Sequence, residues 1–320
     1  MTDVVVTDAT FLAVEAEERA AREKGASFAR HACRTAAEVA EAVRGARVAV
    51  VQFAPLTREA IVGLAPGATA IRYGVGFDNF DLAALGEHGA RAAYVPDYCV
   101  DEVADHTAAM TLALLRRLPA LDASVRRGEW TAVRVSAPLR PFAEATVSFL
   151  GFGRIAQGVR ARLAPFGFRF VAADPYQAGQ GHEGVRFVDL ATLLAEADAL
   201  SLHAPSTPET RGIVNRDTLA AMKPTAVLVN SARGDLVDEA ALAEALGAGR
   251  LGGAALDVFA TEPLPGDSPL RGAPNLLLTP HAAWYSDAAV GRLQSLVADE
   301  ITRALEGRPP RRPIPGTTEA

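Results

Sequence analysis

The sequence ATVSFLGFGRIAQGVRARLAPFGFRFVAAD, residues 145–174, decides the fold of this chain. It opens with a short apolar run that is typical of a buried strand, and Gly151 and Gly153 end that run abruptly. Apolar residues then recur at helical spacing, and a second apolar run ends in Asp174. The stretch therefore predicts a strand, a glycine turn, a helix, a second strand and an acidic residue, in that order.

The glycine turn carries the residue types that bind a dinucleotide. Gly151 allows a tight turn off the strand, and Gly153 leaves the backbone bare, so that a pyrophosphate can approach the N–H groups of the helix N-terminus. Asp174 lies about 20 residues past the glycines, where a carboxylate can accept hydrogen bonds from ribose hydroxyls. Its negative charge repels a 2′-phosphate and favours NAD over NADP. We interpret the turn as a dinucleotide site, although a lone glycine pattern is often only a tight strand–helix turn.

Composition and charge exclude several classes of protein. The chain has 320 residues, which suggests about two domains, and its net charge of −6 argues against a nucleic-acid or acidic-membrane partner. Two cysteines are too few for a disulfide framework and indicate a reducing compartment. The sequence shows no signal-peptide pattern, no uninterrupted apolar run of about 18 residues and no Cys/His spacing that would bind a metal. These features predict a cytoplasmic protein with no membrane partner and no metal.

The order of predicted elements gives the fold class. Strands and helices alternate with short connections in residues 1–95, and one long helix at 101–117 leads into a second series of about six strands. We therefore predict an α/β protein with two doubly wound domains, a Rossmann NAD-binding domain inserted into a flavodoxin-like substrate domain. The substrate domain comprises residues 1–95 plus about 287–320, and the NAD-binding domain comprises residues 96–286. The Pro- and Arg-rich tail from residue 307 is predicted to be disordered.

Three later strand ends carry residues suited to carbonyl chemistry. Arg233, Glu262 and His281 each follow a predicted strand, and the ends of parallel strands lie on one edge of a sheet. The guanidinium fork of Arg233 can hold a carboxylate and polarise the neighbouring carbonyl. His281 can give a proton to the developing alkoxide, and Glu262 can orient its imidazole. The three residues predict reduction of a carbonyl next to a carboxylate, with the hydride supplied by the cofactor.

These motifs resemble the D-2-hydroxyacid dehydrogenase family. The matching segments are RYGVGFDN at 72–79, GFGRIA at 151–156, NSARGDLVDEAAL at 230–242, ALDVFATEPL at 255–264 and TPHAAWYS at 279–286. Within the family, PDYCVDE at 96–102 and the AAWYS run are most similar to the C-terminal binding proteins and their bacterial relatives. The resemblance implies an NAD(H)-dependent oxidoreductase that interconverts a small 2-keto acid and the D-2-hydroxy acid. It also implies a homodimer that forms through the NAD-binding domain.

The resemblance also assigns roles to individual residues. The catalytic residues are Arg233, Glu262 and His281. The substrate residues are Tyr73, Gly74, Val75, Gly76, Arg233 and Trp284, and the backbone of residues 74–76 cradles the carboxylate. The cofactor residues are Gly151, Phe152, Gly153, Arg154, Ile155, Asp174, Pro175, His203, Ala204, Pro205, Thr210, Ser231, Ala232, Asp257 and Thr107. Of these, Asp257 would bind the nicotinamide amide and Thr107 would contact the phosphates.

The identity of the substrate stays open at this point. Trp284 either packs in the core or, as in the similar corepressors, faces the substrate pocket with Tyr73 and favours a bulky or apolar 2-keto acid. A phosphoglycerate substrate is disfavoured, because residues 51–53 carry no Arg where a phosphate could be held. The remaining candidates for a second anionic group are Arg72, Arg134 and Arg140. A phosphorylated or phosphonate-bearing keto acid therefore stays an alternative.

A binding protein is the second class of function. The resemblance to C-terminal binding proteins allows an NAD(H)-sensing, corepressor-like scaffold with residual activity, but the intact catalytic set favours an enzyme. A formate dehydrogenase is disfavoured, because that branch pairs its histidine with Gln and this chain has Glu262. Among the other histidines, His203 is expected beside the cofactor without acid–base work, and His106 at a hinge or dimer contact.

Overall fold

The computed structural model describes residues 2–177, 179 and 181–317, and the chain forms two compact units. One unit comprises Met1–Cys99 and Ser286–Ala320, and the other comprises Val100–Tyr285. The second unit thus interrupts the first in sequence. It begins a few residues later than the expected residue 96, because the long helix that opens it starts at Val100.

The first unit is built on a parallel sheet. Its strands are β1 (Val4–Val6), β2 (Phe28–Arg30), β3 (Val48–Val51), β4 (Thr69–Arg72) and β5 (Arg91–Tyr94). The helices that connect these strands are α1 (Glu15–Glu23), α2 (Ala36–Ala42), α3 (Arg58–Val62) and α4 (Leu82–His88). The strand order is β2-β1-β3-β4-β5, which is the flavodoxin-like order.

The second unit contains a larger parallel sheet. Its strands are β6 (Thr146–Leu150), β7 (Arg169–Ala173), β8 (Val185–Phe187), β9 (Ala199–Leu202), β10 (Val227–Asn230), β11 (Gly253–Leu256) and β12 (Leu276–Leu278). Its helices are α5 (Val100–Leu115), α6 (Leu118–Arg126), α7 (Ala132–Ser136), α8 (Arg154–Leu163), α9 (Leu190–Glu196), α10 (Arg216–Ala220) and α11 (Glu239–Gly247), with short 3-10 helices at Phe142–Glu144, Ala164–Phe166, Gly234–Leu236 and Pro269–Gly272. The chain then returns to the first unit in α12 (Asp287–Leu305).

The order of the larger sheet is β12-β11-β10-β9-β6-β7-β8, a Rossmann order with one added strand. The order reverses at β6, and the glycine turn at residues 151–153 follows that strand. The predicted fold class is confirmed. Strands β2 and β8 could not be predicted from the sequence, because both are three-residue edge strands (FAR and VRF) without an apolar run.

Continuous apolar runs explain why both faces of the first sheet are covered. The runs VVV in β1 and VAVV in β3 are fully buried, as is usual for parallel strands between helical layers. Val5 and Ala49 lie in one core cluster with residues of α2, α3 and α4. Helix α1 packs against α12, and α12 contacts β3 and β4. Because side chains alternate along a strand, α1 and α12 cover one face and α2–α4 the other.

Residues 307–317 of the C-terminal tail pack on the first unit, so the prediction of disorder was wrong for them. Ile314 donates a backbone hydrogen bond of 2.9 Å to Ala92, and Tyr94 donates one of 3.2 Å to Arg312. The Ile314 side chain is fully buried in the core of the first unit. The tail therefore covers the edge of β5, and one apolar anchor outweighs a composition rich in proline and arginine.

Candidate active site

The glycine turn after β6 leaves the N-terminus of α8 uncapped by any side chain. Gly151 has a φ of +84°, and a Cβ there would lie 2.8 Å from the carbonyl carbon of His203, so that only glycine fits. Gly153 caps α8 without a side-chain hydrogen bond, and a Cβ there would meet no atom within 4 Å. Phe152 is buried, whereas Arg154 is exposed. The start of α8 therefore has no side-chain cap and has open space beside Gly153, features that suit a pyrophosphate.

The carboxylate of Asp174 is fixed beside this turn. Its Oδ2 accepts a hydrogen bond of 2.7 Å from the backbone N–H of Phe152. Its Oδ1 accepts bonds of 2.8 and 3.2 Å from the N–H groups of Tyr176 and Gln177. Carboxylate oxygens can each accept two hydrogen bonds, so Asp174 retains acceptor capacity for a ribose. The acid predicted from spacing thus also holds the glycine turn, and Pro175 after it is exposed.

The loop after β9 lies next to the turn and presents a neutral histidine. Burial lowers the pKa of His203 to about 3, and its Nε2 lies 2.8 Å from the Ser201 hydroxyl. This imidazole is therefore uncharged at physiological pH, in keeping with the expectation that it does no acid–base work. Thr210 fixes the following segment by donating a 2.6 Å hydrogen bond to the carbonyl of Pro205.

Glu262 and His281 form the pair that the sequence predicts. The Nδ1 of His281 lies 2.7 Å from Oε2 of Glu262, and both side chains are partly exposed. The other oxygen of Glu262 accepts a 2.9 Å hydrogen bond from the backbone N–H of Phe259. His281 has a φ of 51°, a left-handed conformation that is uncommon for a non-glycine residue. When Glu262 accepts the Nδ1 proton, the Nε2 nitrogen is on the side of the ring turned away from the carboxylate.

Asp257 holds the loop that carries His281. Its carboxylate is fully buried, and Oδ1 accepts hydrogen bonds of 2.6 Å from the Thr279 hydroxyl and 2.8 Å from the Ala282 N–H. Oδ2 accepts a bond of 2.9 Å from the Ala283 N–H. The backbone of Asp257 also accepts a 2.7 Å bond from the N–H of His281. These contacts fix the strained conformation of His281. The nicotinamide contact that the resemblance implies for Asp257 stays a prediction.

His106 belongs to the same group, which sequence reasoning missed. Its Nε2 lies 3.2 Å from the Thr279 hydroxyl and 3.8 Å from Oδ1 of Asp257. Helix α5 therefore contributes a polar side chain to the support of the His281 loop. The signal in the sequence was a histidine next to Asp105 in a helix whose second half is largely apolar, and no pattern says which loop such a side chain contacts.

The loop after β10 carries Arg233 in extended backbone. Asn230 is fully buried; its Nδ2 donates a 2.8 Å hydrogen bond to the carbonyl of Arg233, and its Oδ1 accepts one of 3.0 Å from the N–H of Ala232. Ser231 lies 2.6 Å from the hydroxyl of Thr107, which is fully buried and also donates to the carbonyl of Val103. Thr107 thus supports the Arg233 loop, and its predicted phosphate contact stays a prediction.

In the first unit, the segment after β4 has the form of an anion cradle. Gly74 has a φ of +142°, and the guanidinium of Arg72 lies where its side chain would be, with Nη1 2.9 Å from an ideal Cβ. The backbone N–H groups of Val75 and Gly76 make no hydrogen bond within the described part of the chain. Two adjacent N–H groups without a protein acceptor suit a carboxylate. Arg72 is itself buried, over the ring of Phe53.

Tyr73 is placed differently from the expectation that it lines the substrate pocket. Its side chain is only 1% exposed, and its hydroxyl donates a 2.6 Å hydrogen bond to Oε1 of Glu17 on α1. Its ring packs edge-on against Phe11. The Tyr73 side chain is therefore not available to contact a ligand. The sequence could not show this, because the side chain of a residue just past a strand end can turn either way.

The other candidates for the substrate site are dispersed. Trp284 is partly buried in the second unit and packs edge-on against Tyr285 at 5.7 Å between ring centroids. Arg134 is exposed on α7, and Arg140 is exposed near the buried carboxylate of Asp198, at 3.8 Å. Neither arginine belongs to the groups around Arg233 and Gly74 described above.

Comparison with known proteins identifies the family. The family model for the NAD binding domain of D-isomer specific 2-hydroxyacid dehydrogenases matches residues 108–283. The chain belongs to the D-isomer specific 2-hydroxyacid dehydrogenase family. The matched residues contain the glycine turn, the Arg233 loop and the Glu262–His281 pair, so the prediction of an NAD-binding domain of this family is confirmed.

Individual members of the dehydrogenase family show how far the similarity extends. The D-3-phosphoglycerate dehydrogenase of Mycobacterium bovis is 40% identical over 269 residues, which are 83% of this chain and 50% of that protein. The chain thus spans about half the length of the curated relatives it matches. A Thermus thermophilus protein of known structure is 36% identical, with a TM-score of 0.85 over 98% of this chain and 99% of that one. The D-lactate dehydrogenase of Aquifex aeolicus, solved with NAD and lactic acid, is 27% identical with a TM-score of 0.84 over 95% and 96%.

These comparisons do not test the finer prediction of a branch within the family. The likeness to C-terminal binding proteins stays a prediction, since the relatives named above are dehydrogenases. In the part of the chain that the structure covers, no helix is both long and apolar enough to cross a membrane. Across those same residues, no group of three or more His, Cys, Asp or Glu side chains is arranged to hold a metal ion.

Proposed function

We propose that the protein is an NAD(H)-dependent D-2-hydroxyacid dehydrogenase that reduces a 2-keto acid or runs the reverse reaction. The observation that carries this proposal is the 2.7 Å contact between His281 and Glu262, in the NAD-binding domain of a dehydrogenase family. Arg233 follows a neighbouring strand of the same sheet. In this proposal His281 is the acid–base group, Glu262 is its partner, and Arg233 binds the carboxylate of the substrate.

The residues around the glycine turn fit NAD(H). The uncapped N-terminus of α8 suits a pyrophosphate, and the carboxylate of Asp174 suits ribose hydroxyls and disfavours a 2′-phosphate. Bound NAD(H) supplies or accepts the hydride. The residues proposed to hold it are Gly151, Phe152, Gly153, Arg154, Ile155, Asp174, Pro175, His203, Ala204, Pro205, Thr210, Ser231, Ala232, Asp257 and Thr107.

Each catalytic side chain has a defined task in this proposal. Arg233 binds the substrate carboxylate through its guanidinium and draws electron density from the keto oxygen. His281 donates the proton from Nε2 to the oxygen that becomes the hydroxyl, and takes it back in the reverse direction. Glu262 fixes the ring through Nδ1 and stabilises the imidazolium form. In the first unit, the N–H groups of Val75 and Gly76 are the donors proposed to bind a substrate carboxylate.

A second candidate is a reductase for a keto acid with a further anionic group. The observation that favours it is the buried guanidinium of Arg72 beside Gly74, together with relatives that are named D-3-phosphoglycerate dehydrogenases. Gln52 and Phe53 stand at the sequence position where an arginine could hold a phosphate, which limits the positive charge available there. A substrate with one additional carboxylate, phosphate or phosphonate would use Arg72.

The test is NADH oxidation over a panel of aliphatic, aromatic, branched and phosphorylated 2-keto acids. On the best substrate, His281→Asn and Arg233→Gln should each lower kcat/KM by at least about 10³-fold, because a proton donor or a charged ligand is lost. His31→Asn, at an exposed position of the first unit, is the matched control and should leave the rate unchanged. Near-normal turnover of both active-site variants would contradict the proposal. No turnover with any acid, alongside tight NADH binding and capture of a protein partner, would favour the corepressor-like scaffold.

We also propose a cytoplasmic homodimer that forms through the second unit. Helices α6 and α7 and the turn between them expose apolar side chains that a solvent-facing surface rarely collects, namely Leu118, Val125, Trp130 and Val133. Trp130 is 89% exposed. Sedimentation equilibrium should give twice the chain mass, and Trp130→Glu with Val133→Glu should give the single-chain mass. A wild-type protein that sediments as one chain at micromolar concentration would contradict this proposal.

A further inference from the structure

A buried carboxyl group lies behind the proposed substrate cradle of the first unit. Glu17 sits on α1, in the charged sequence EAEERAARE, but its side chain is 0% exposed. Its Oε1 accepts the hydrogen bond from Tyr73, and its buried Oε2 has no hydrogen-bond partner within the described residues. Desolvation raises the pKa of Glu17 and favours the neutral form. Burying a carboxyl group costs free energy. The hydrogen bond that joins the Glu17 side chain to another element of the fold is the one from the Tyr73 hydroxyl.

Tyr73 is held at both ends. Its hydroxyl is bound by Glu17, its carbonyl accepts a hydrogen bond from Nη1 of Arg72, and its N–H donates a 2.8 Å bond to Val51 of β3. The edge-on ring of Phe11 fills the space beside the phenol. Because the side chain and both ends of the backbone are fixed, Tyr73 sets the direction in which the chain leaves β4.

The next residues are the ones that meet the substrate in the proposed function. Gly74 adopts its φ of +142° immediately after Tyr73, and its carbonyl accepts a 3.0 Å hydrogen bond from Val95. The N–H groups of Val75 and Gly76 then have no acceptor among the described residues. A shift of the Tyr73 phenol would therefore rotate these two donors, since no hydrogen bond of their own fixes them.

We propose that Glu17 is a positioning residue for substrate binding: its bond to the Tyr73 hydroxyl orients the backbone donors of Val75 and Gly76 toward the substrate carboxylate. The inference rests on the proposed function, which places the carboxylate there. Arg233, Glu262 and His281 belong to the second unit. Losing the Glu17–Tyr73 bond should therefore weaken substrate binding more than it slows the chemical step.

The test uses variants of the full chain. Glu17→Ala and Tyr73→Phe each remove the hydrogen bond, and their combination completes a double-mutant cycle. Glu17→Gln keeps an acceptor oxygen of the same shape for Tyr73 and is the conservative rescue. Val39→Ala is the matched control for stability, because Val39 is fully buried on α2, on the opposite face of the same sheet.

Two readouts are needed, and only one depends on catalysis. Amide hydrogen exchange over residues 73–80 should accelerate by about three- to tenfold in Glu17→Ala and Tyr73→Phe, the range that loss of one hydrogen bond produces. KM for the best 2-keto acid should rise by about the same factor, with kcat within about twofold. The double variant should be no worse than either single one. Glu17→Gln should match the wild type in both readouts, and Val39→Ala should leave KM unchanged.

The outcomes separate this inference from the proposed function. If no 2-keto acid is reduced but exchange at 73–80 follows the pattern above, the catalytic proposal fails and the positioning of the loop stands. Unchanged exchange in Glu17→Ala and Tyr73→Phe overturns the inference. Faster exchange with an unchanged KM in an active enzyme also overturns it, because the loop would then move without effect on the substrate. A rise in KM in Val39→Ala would overturn it as well, by showing that general destabilisation is the cause.

Discussion

Replacing Gly234 with alanine should separate Arg233 from the Glu262–His281 pair. The backbone of Gly234 packs so closely against the next loop that a Cβ would lie 1.9 Å from the carbonyl carbon of Phe259 and 2.2 Å from its oxygen. These are backbone atoms, which cannot rotate away as a side chain can. Real Cβ contacts are essentially never shorter than 3.0 Å, so the two loops must move apart by about 1 Å.

The expected loss of activity follows from the catalytic residues that these two loops carry. Gly234 directly follows Arg233, and Phe259 donates its N–H to Glu262. A displacement of about 1 Å between catalytic groups costs roughly 10²-fold in rate. Forcing a methyl group into a packed site costs about 1–3 kcal/mol of the free energy of unfolding. The glycine turn is not part of this contact, but Ala232 and Asp257, which are proposed to hold NAD(H), lie two residues from Gly234 and Phe259 in the sequence. The affinity for NADH should therefore fall, but by less than kcat/KM does.

The assay combines kcat/KM on the best 2-keto acid, urea unfolding and fluorescence titration with NADH. Gly266→Ala is the matched control, because a Cβ there meets nothing within 4 Å and the residue lies in the same unit. Gly234→Ala should lose about 10²-fold in kcat/KM while the control stays near the wild type. If Gly234→Ala retains activity within about threefold, close packing of the two loops does not position Arg233.

Three further changes test other parts of the structure. Asp174→Ala removes the acceptor for the Phe152 N–H and the charge beside it, so Kd for NADH should rise by about 10- to 100-fold and the preference over NADPH should shrink; an unchanged preference in binding titrations would count against its role. The folded-state pKa of Glu17 is raised, so the cost of burying its carboxylate is absent below the unfolded-state value of about 4.3 and grows as pH rises toward and through the folded-state value. The Tm of the wild type should therefore fall relative to Glu17→Gln as pH rises above about 4, and parallel Tm curves would contradict this. Ile314→Ala empties a fully buried site beside β5 and should lower the free energy of unfolding by about 2–5 kcal/mol in urea titrations, whereas a loss below about 0.5 kcal/mol would indicate that the tail is not an anchor.

The fold could be predicted from the sequence because its signals are local. The glycine turn, the apolar strand runs and the acid at the end of β7 lie within about 30 residues of one another, and each depends on chemistry that neighbouring residues determine. The short edge strands β2 and β8 could not be found in this way. Their pairing comes from the adjacent strand, and their own three residues carry no periodicity.

The candidate site could be predicted as a set of residues but not as an arrangement. His281 and Glu262 were paired from their order alone, and the structure gives their 2.7 Å contact. The hydrogen bonds of Asn230 to the Arg233 carbonyl and of His106 to Thr279 could not be predicted, because no local sequence pattern indicates which loop these side chains contact. Tyr73 shows the same limit, because the direction of its side chain is decided by Glu17, which is 56 residues away.

The interruption of the first unit by the second also fixes the order in which the chain can fold during synthesis. Val100–Tyr285 is one continuous stretch, so all of its contacts are available once residue 285 has left the ribosome. The first unit must wait, because α12 covers α1 and the segment around Ile314 covers β5, and both are made last. Until then the β5 edge and the apolar face under α12 stay open to neighbours, so this half of the nascent chain is the half that a chaperone would need to shield.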